Sequence, residues 1–137
     1  MDQYLVVVTG IDAVDDVHEF VATVRIDHPD ATFHLVVPDS WVQHARDWTG
    51  DHHPARRRLD DLLASLLARG VDADGEVGTA NPVVAALCAM CGRHVDTVVV
   101  AGLPPATAHW LGADVASRVR DHVSIPVVQL PATCVAA

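Results

Sequence analysis

The sequence predicts an α/β protein: a three-layer, doubly wound, five-stranded parallel sheet in the order 3-2-1-4-5. Three observations carry this. Short runs of branched apolar residues alternate with amphipathic helical patterns along the chain, and such alternation implies parallel strands joined by right-handed helical crossovers. Half of the 137 residues are hydrophobic and only 4% are aromatic, so the core is aliphatic and layered. The fourth apolar run ends in Gly102 and leads toward a helix, the position where doubly wound sheets meet their ligands. The length fits one domain spanning 1–137.

The first strand is Tyr4–Val8, a continuous branched run of the kind buried on both faces. A helix over about Ala13–Arg25 follows, with Val14, Val17, Val21 and Val24 as its apolar stripe and Asp12 as its N-cap. His28-Pro29-Asp30 ends that unit and Thr32–Val37 forms the second strand. Residues 39–53 are polar and irregular, a candidate surface loop or lid. The second helix is about Pro54–Ala68, with Leu59, Leu62, Leu63, Leu66 and Leu67 on one face and Gly70 as its stop. Asp72–Gly78 is the third strand, weakened by Gly75. Asn81-Pro82 starts the third helix, a side-chain cap followed by proline at the first helical position, and the helix runs to about Cys91, closed by Gly92. Thr97–Ala101 is the fourth strand. The fourth helix covers about Ala106–His122, with Leu111, Val115 and Val119 on its apolar face. Ile125–Leu130 is the last strand, with Pro126 near its start as befits an edge.

Composition excludes several classes. The net charge is −9 and all nine basic residues are arginine, so no basic face is available for nucleic acid. The run Arg56–Arg58 lies beside Asp60 and Asp61 and reads as a solvated surface. No apolar stretch approaches the ~20 residues of a membrane span, and the N-terminus lacks the basic region of a signal peptide. Three cysteines argue against a disulfide framework. The expectation is a cytoplasmic protein without nucleic-acid or membrane partners. No nucleophile elbow, metal-protease helix or Walker motif is present, so enzymatic activity has no positive support.

Three stretches resemble the universal stress protein family: TANPVVAAL, similar to its helix start; HVDTVVVAG, similar to its aspartate–strand–glycine unit; and LGADVASRVRDHVSIPVVQL, similar to its closing helix and Pro-led strand. The resemblance implies a Rossmann-like, adenine-nucleotide-α-hydrolase-like sheet, a stress-response role, a homodimer through the last strand, and a nucleotide cleft. That cleft would involve an aspartate after the first strand, backbone after the second, and a glycine motif after the fourth. On this chain those positions fall at Thr9, Gly10, Val37, Ala101, Gly102 and Asp114. The motif is broken. Counting from Ala101, its glycine places hold Pro104 and Asp114; counting from Gly102, they hold Pro105 and Val115. Thr9 takes the place of the aspartate, and Ala113-Asp114 that of the closing Gly-Ser.

The chemistry of the substitutions is adverse to a phosphate. A phosphate cradle needs inward-pointing N–H groups, and proline has none. Asp114 would repel a triphosphate, no lysine or arginine lies between Gly102 and Ser117, and Leu103-Pro104-Pro105 with Trp110 would plug or reshape the pocket. The expectation is a degenerate nucleotide-binding site with no cofactor. Two function classes stay open: a non-enzymatic regulatory or binding module that does not hold ATP in the usual mode, or an ATP-binding member with a divergent loop and weak ATPase activity. A third reading is a partner protein whose role is assembly.

The last strand offers an apolar edge, Val127, Val128, Gln129 and Leu130, for an isologous dimer. Cys88 and Cys91 form a CxxC at a helix end rather than a helix start, and read as small apolar fillers facing the sheet. His52 and His53, with His44 and Asp51, lack an evident second shell for a metal. His109 beside Trp110 reads as a surface histidine next to a core tryptophan, and Ser40 with His44 has nothing to make it a catalytic pair.

Overall fold

A computed structural model describes residues 2–9, 13–38, 54–79, 81–101 and 115–130. Five strands form one parallel sheet: β1 Gln3–Val8, β2 Thr32–Pro38, β3 Asp74–Gly78, β4 Thr97–Ala101 and β5 Val127–Leu130. Their order is β3-β2-β1-β4-β5, as the sequence predicts. The helices are α1 Ala13–Asp27, α2 Pro54–Ala68, α3 Pro82–Met90 and α4 Val115–Arg120.

The central strands are buried on both faces, which is why they read as unbroken apolar runs. Alternate residues serve opposite layers. Val6, Val8, Leu35, Val37 and Val99 pack with Val17 and Val21 of α1 and Leu59, Leu62 and Leu66 of α2. Leu5, Val7, Val36, Val98 and Val100 pack with Ala85, Ala86 and Ala89 of α3 and Ala116 and Val119 of α4. The sheet thus lies between the α1/α2 layer and the α3/α4 layer. The small residues of α3 let it sit close to the sheet.

Several boundaries differ from the sequence reading. β3 starts at Asp74, not Asp72. Its ladder with β2 opens at the pair His34 and Asp74, and before it Thr32, Phe33, Asp72 and Ala73 line a hollow instead of pairing. β5 starts at Val127, not Ile125: Pro126 contributes only its carbonyl, which accepts from the Val98 N–H at 3.0 Å. α1 runs to Asp27, and α4 stops at Arg120, followed by turn bonds from Asp121 and His122. Residues 106–114 of the predicted fourth helix lie outside the described residues, as do Asp12 and the 39–53 loop.

Leu67 also departs from expectation. It is 65% exposed, whereas Leu59, Leu62 and Leu66 are buried. Five leucines cover too wide an arc, and Leu67 lies about 100° round the helix from Leu66. Gly70 does stop α2, with φ +82°. Gly75 has a packing reason: a Cβ there would stand 2.6 Å from Leu59 Cδ1 and 2.8 Å from the Leu35 carbonyl oxygen. Glycine is what lets α2 rest on β3.

Candidate functional site

The sheet order places the topological switch between β1 and β4, since the crossovers leave these neighbours in opposite directions. Val8 and Ala101 are partners at their carboxyl ends. Thr9 follows at the mouth of the crevice. Its N–H donates to the Ala101 carbonyl at 2.8 Å, and its Oγ1 donates to the same oxygen at 3.1 Å. The amide bond completes the β1–β4 ladder at the Val8 and Ala101 pair, and the hydroxyl is the donor turned back onto β4. Val37 and Ala101 are fully buried, with their side chains in the α1/α2 core. Gly10, Gly102 and Asp114, together with Pro104, Pro105, His109 and Trp110, lie outside the described residues.

The start of α3 reaches the same end of the sheet. The Asn81 side chain accepts from the Val83 N–H at 3.0 Å and the Val84 N–H at 3.3 Å. Pro82 has no N–H, and Ala85 donates to the Asn81 carbonyl. The first-turn donors that attract anions to a helix start are therefore taken by the cap. Among the described residues at the carboxyl ends (8–9, 37–38, 78–79, 101 and 130) none carries charge.

The charged side chains collect at the opposite, amino end. His34 on β2 is buried, its Nδ1 2.9 Å from Asp74 Oδ1 and its Nε2 3.3 Å from Glu76 Oε2. Arg93 Nη1 lies 4.0 Å from Asp74. Asp96 Oδ2 accepts from the Gln3 N–H at 2.8 Å, and His94 Nε2 is 2.8 Å from its other oxygen. The Gln3 amide, and after it His94, hold the Asp96 carboxyl below its usual range. The Asp96 N–H in turn donates to the Gln3 carbonyl, so this aspartate pins the start of β4 to β1. The aspartate of HVDTVVVAG thus has an architectural role. Gln3, His34, Asp74, Arg93 and His94 border a hollow of about 400 Å³ with Tyr4 and Phe33, whose rings stack at 5.4 Å.

Sequence reasoning did not find the His34 cluster. Its signal is the i, i+2 pair of carboxylates in DGEVG facing a histidine inside an apolar strand, and this becomes visible only once the β2–β3 register is known. A second buried histidine, His18, was also not singled out. It joins α1 to α2 through Ser65 at 2.9 Å. Burial, reinforced by Arg69 and opposed by Asp15, pushes its imidazole below the usual histidine range.

The CxxC departs from the sequence reading. Cys88 and Cys91 are both exposed free thiols rather than fillers facing the sheet. The stripe that α3 buries is Ala85, Ala86 and Ala89, and Cys88 falls about 100° away from its centre. His44, Asp51, His52, His53 and Ser40 lie outside the described residues. Among the described residues no group of three or more His, Cys, Asp or Glu side chains is placed to hold a metal ion. No helix among them is long and apolar enough to cross a membrane.

This architecture is that of known universal stress protein structures. A protein of that family from Burkholderia pseudomallei superposes with a TM-score of 0.59 at 20% identity, covering 95% of this chain and 96% of that one. The universal stress protein from Archaeoglobus fulgidus superposes with a TM-score of 0.65 at 15% identity, covering 94% and 93%. The chain therefore has the universal stress protein fold over nearly its whole length. No family model matches the sequence. No curated protein matches it either.

Proposed function

We propose that the protein is a non-enzymatic regulatory or binding module of the universal stress protein type, acting as a homodimer and not holding ATP in the usual mode. The observation that supports this reading is the Thr9 hydroxyl, which donates to the Ala101 carbonyl at 3.1 Å at the β1–β4 switch instead of pointing into the crevice. Asn81 closes the nearby helix start in the same sense. The prolines at 104 and 105 and the acid at 114 remove further donors and add repulsion. Among the described residues the carboxyl ends of the strands offer no cation with which to stabilise a triphosphate.

The dimer reading rests on the contrast between the two sheet edges. β3 presents exposed Asp74 and Glu76, the charge that guards an edge. β5 presents no charge: Val128 and Gln129 are half-buried, Val128 resting against the α1/α2 core, and Val127 and Leu130 are buried. A two-fold axis beside β5 would pair it antiparallel with its copy through main-chain groups.

Titration calorimetry with ATP and magnesium tests the first part. The proposal expects no binding heat up to millimolar nucleotide. Sub-millimolar binding that is lost on changing Thr9 would instead establish the divergent-loop, nucleotide-binding reading. Light scattering tests the second part. The parent chain should run at twice the monomer mass and Val128→Asp at the monomer mass, with unchanged circular dichroism. A monomeric parent removes the dimer.

A further inference from the structure

The exposed thiols of α3 have no part in the crevice or the core. Cys91 is the C-cap of the helix, with an extended backbone (φ −67°, ψ 124°). Its N–H donates to the Cys88 carbonyl at 3.1 Å. Such an i to i+3 bond closes a turn whose end Cα atoms lie within about 7 Å, and a disulfide spans Cα separations of about 4.4–6.8 Å. The Cys91 side chain folds back over this turn: its Sγ donates to the Leu87 carbonyl at 3.5 Å, the oxygen of the peptide that enters Cys88. Cys88 lies off the buried stripe and faces solvent. Two open thiols therefore share one turn, with one sulfur already directed toward the backbone of the other residue.

We propose that Cys88 and Cys91 are a redox modification site, oxidised to an intramolecular disulfide by small-molecule disulfides of the glutathione class. One cysteine thiolate attacks a sulfur of the oxidant, giving a mixed disulfide and one small thiolate. The second cysteine thiolate then attacks the protein sulfur of that mixed disulfide, forming the Cys88–Cys91 bond and releasing the second small thiolate. The two thiol protons pass to the released thiolates. The protein loses two electrons and the oxidant gains them. The pair sits at a helix C-terminus, whereas dithiol catalysts keep their attacking cysteine at a helix N-terminus. The site is thus a recipient of oxidation and not an oxidoreductase centre. It lies on the amino-end side of the sheet, immediately before Arg93 and His94, which border the hollow there.

The test uses the full chain carrying Cys134→Ser, so that only this pair is counted. The protein is equilibrated in reduced and oxidised glutathione, quenched, alkylated and weighed intact. The expected species are a doubly alkylated chain and an unalkylated chain lighter by two hydrogens, with no lasting glutathione adduct. An intramolecular bond follows [GSSG]/[GSH]². Diluting total glutathione tenfold at a fixed ratio should therefore raise disulfide over dithiol tenfold. Cys88→Ser and Cys91→Ser should each take one glutathione, with no dependence on the total. The proposal is overturned if the paired chain accumulates glutathione adducts that are insensitive to the total. It is equally overturned if the chain stays doubly alkylated even in glutathione disulfide alone.

Discussion

His18 makes the protein sensitive to mild acid. It is 7% exposed at the contact of α1 with α2. Ser65 Oγ donates to the Leu62 carbonyl at 2.9 Å and lies 2.9 Å from His18 Nε2. Taking that hydroxyl hydrogen as held by the Leu62 carbonyl, the neutral imidazole donates through Nε2–H. Nδ1 is then a buried acceptor with no partner among the described residues. Protonating it would create a buried N–H⁺ with no partner among the described residues, near Arg69, with Arg25 lining the same groove; Asp15 is a carboxylate that favours the charge.

The folded pKa is therefore lowered from 6.5, burial being the main cause. Below about pH 6.5 the unfolded chain takes up a proton that the folded chain refuses. The stability that His18 contributes is complete above that pH and is lost as pH falls toward the folded value. One proton sets the ceiling on the slope, about 1.4 kcal/mol per pH unit. His18→Leu removes the titration while Ser65 keeps its bond to Leu62. At neutral pH the lost hydrogen bond costs about 1 kcal/mol, and relief of the unpartnered nitrogen returns about 1–3 kcal/mol. The variant should thus be about 0–2 kcal/mol more stable. Urea melts from pH 7.5 to 5 read both effects. The parent should lose stability faster than His18→Leu by up to about 1.4 kcal/mol per pH unit. Parallel pH profiles, or a variant destabilised by more than about 2 kcal/mol, would refute the reasoning.

Gly75→Ala sets a methyl against the Leu35 carbonyl oxygen, main chain that cannot swing aside. Overpacking of about 2–3 kcal/mol, less about 1 kcal/mol from a stiffer unfolded chain, leaves a loss of about 1–2 kcal/mol, or a melting point about 4–7 °C lower. Asn81→Ala strips the α3 cap and should cost about 1 kcal/mol in denaturant melts. Asp96→Ala should destabilise at neutral pH. Because the Asp96 pKa is depressed in the fold, the gap to the parent should narrow as pH falls from the ordinary 3.8 through the folded value, readable as converging acid-unfolding curves.

Element types and most element boundaries were legible because the patterns that encode them are local, whereas the strand order came with the family resemblance. Branched runs mark buried strands, Asn-Pro marks the start of α3, and Gly70 marks the end of α2. The misplaced boundaries have local causes that act through neighbours. β3 begins at Asp74 because Asp72 and Ala73 border the hollow with Thr32 and Phe33 rather than pairing with them, and Pro126 shortens β5 by withholding a donor. The carboxyl-end crevice was legible as a position, since Thr9 and Ala101 end adjacent strands. The turn of the Thr9 hydroxyl onto the Ala101 carbonyl was not, because it depends on how the two strand ends meet. The His34 and His18 contacts join residues 40 and 47 positions apart, beyond the reach of any periodicity. Cys88 was misread because a free cysteine is usually a small buried hydrophobe, while its face here is set by which alanines α3 buries.

The account turns on the β1–β4 crevice, where the Thr9 hydroxyl is turned onto β4. A crystal structure of the protein grown with ATP and magnesium tests it most directly. The prediction is that the Thr9 N–H and Oγ1 still meet the Ala101 carbonyl, at 2.8 and 3.1 Å, with no triphosphate density between the strands. Density for a triphosphate there, with the Thr9 amide turned toward it, would contradict the account.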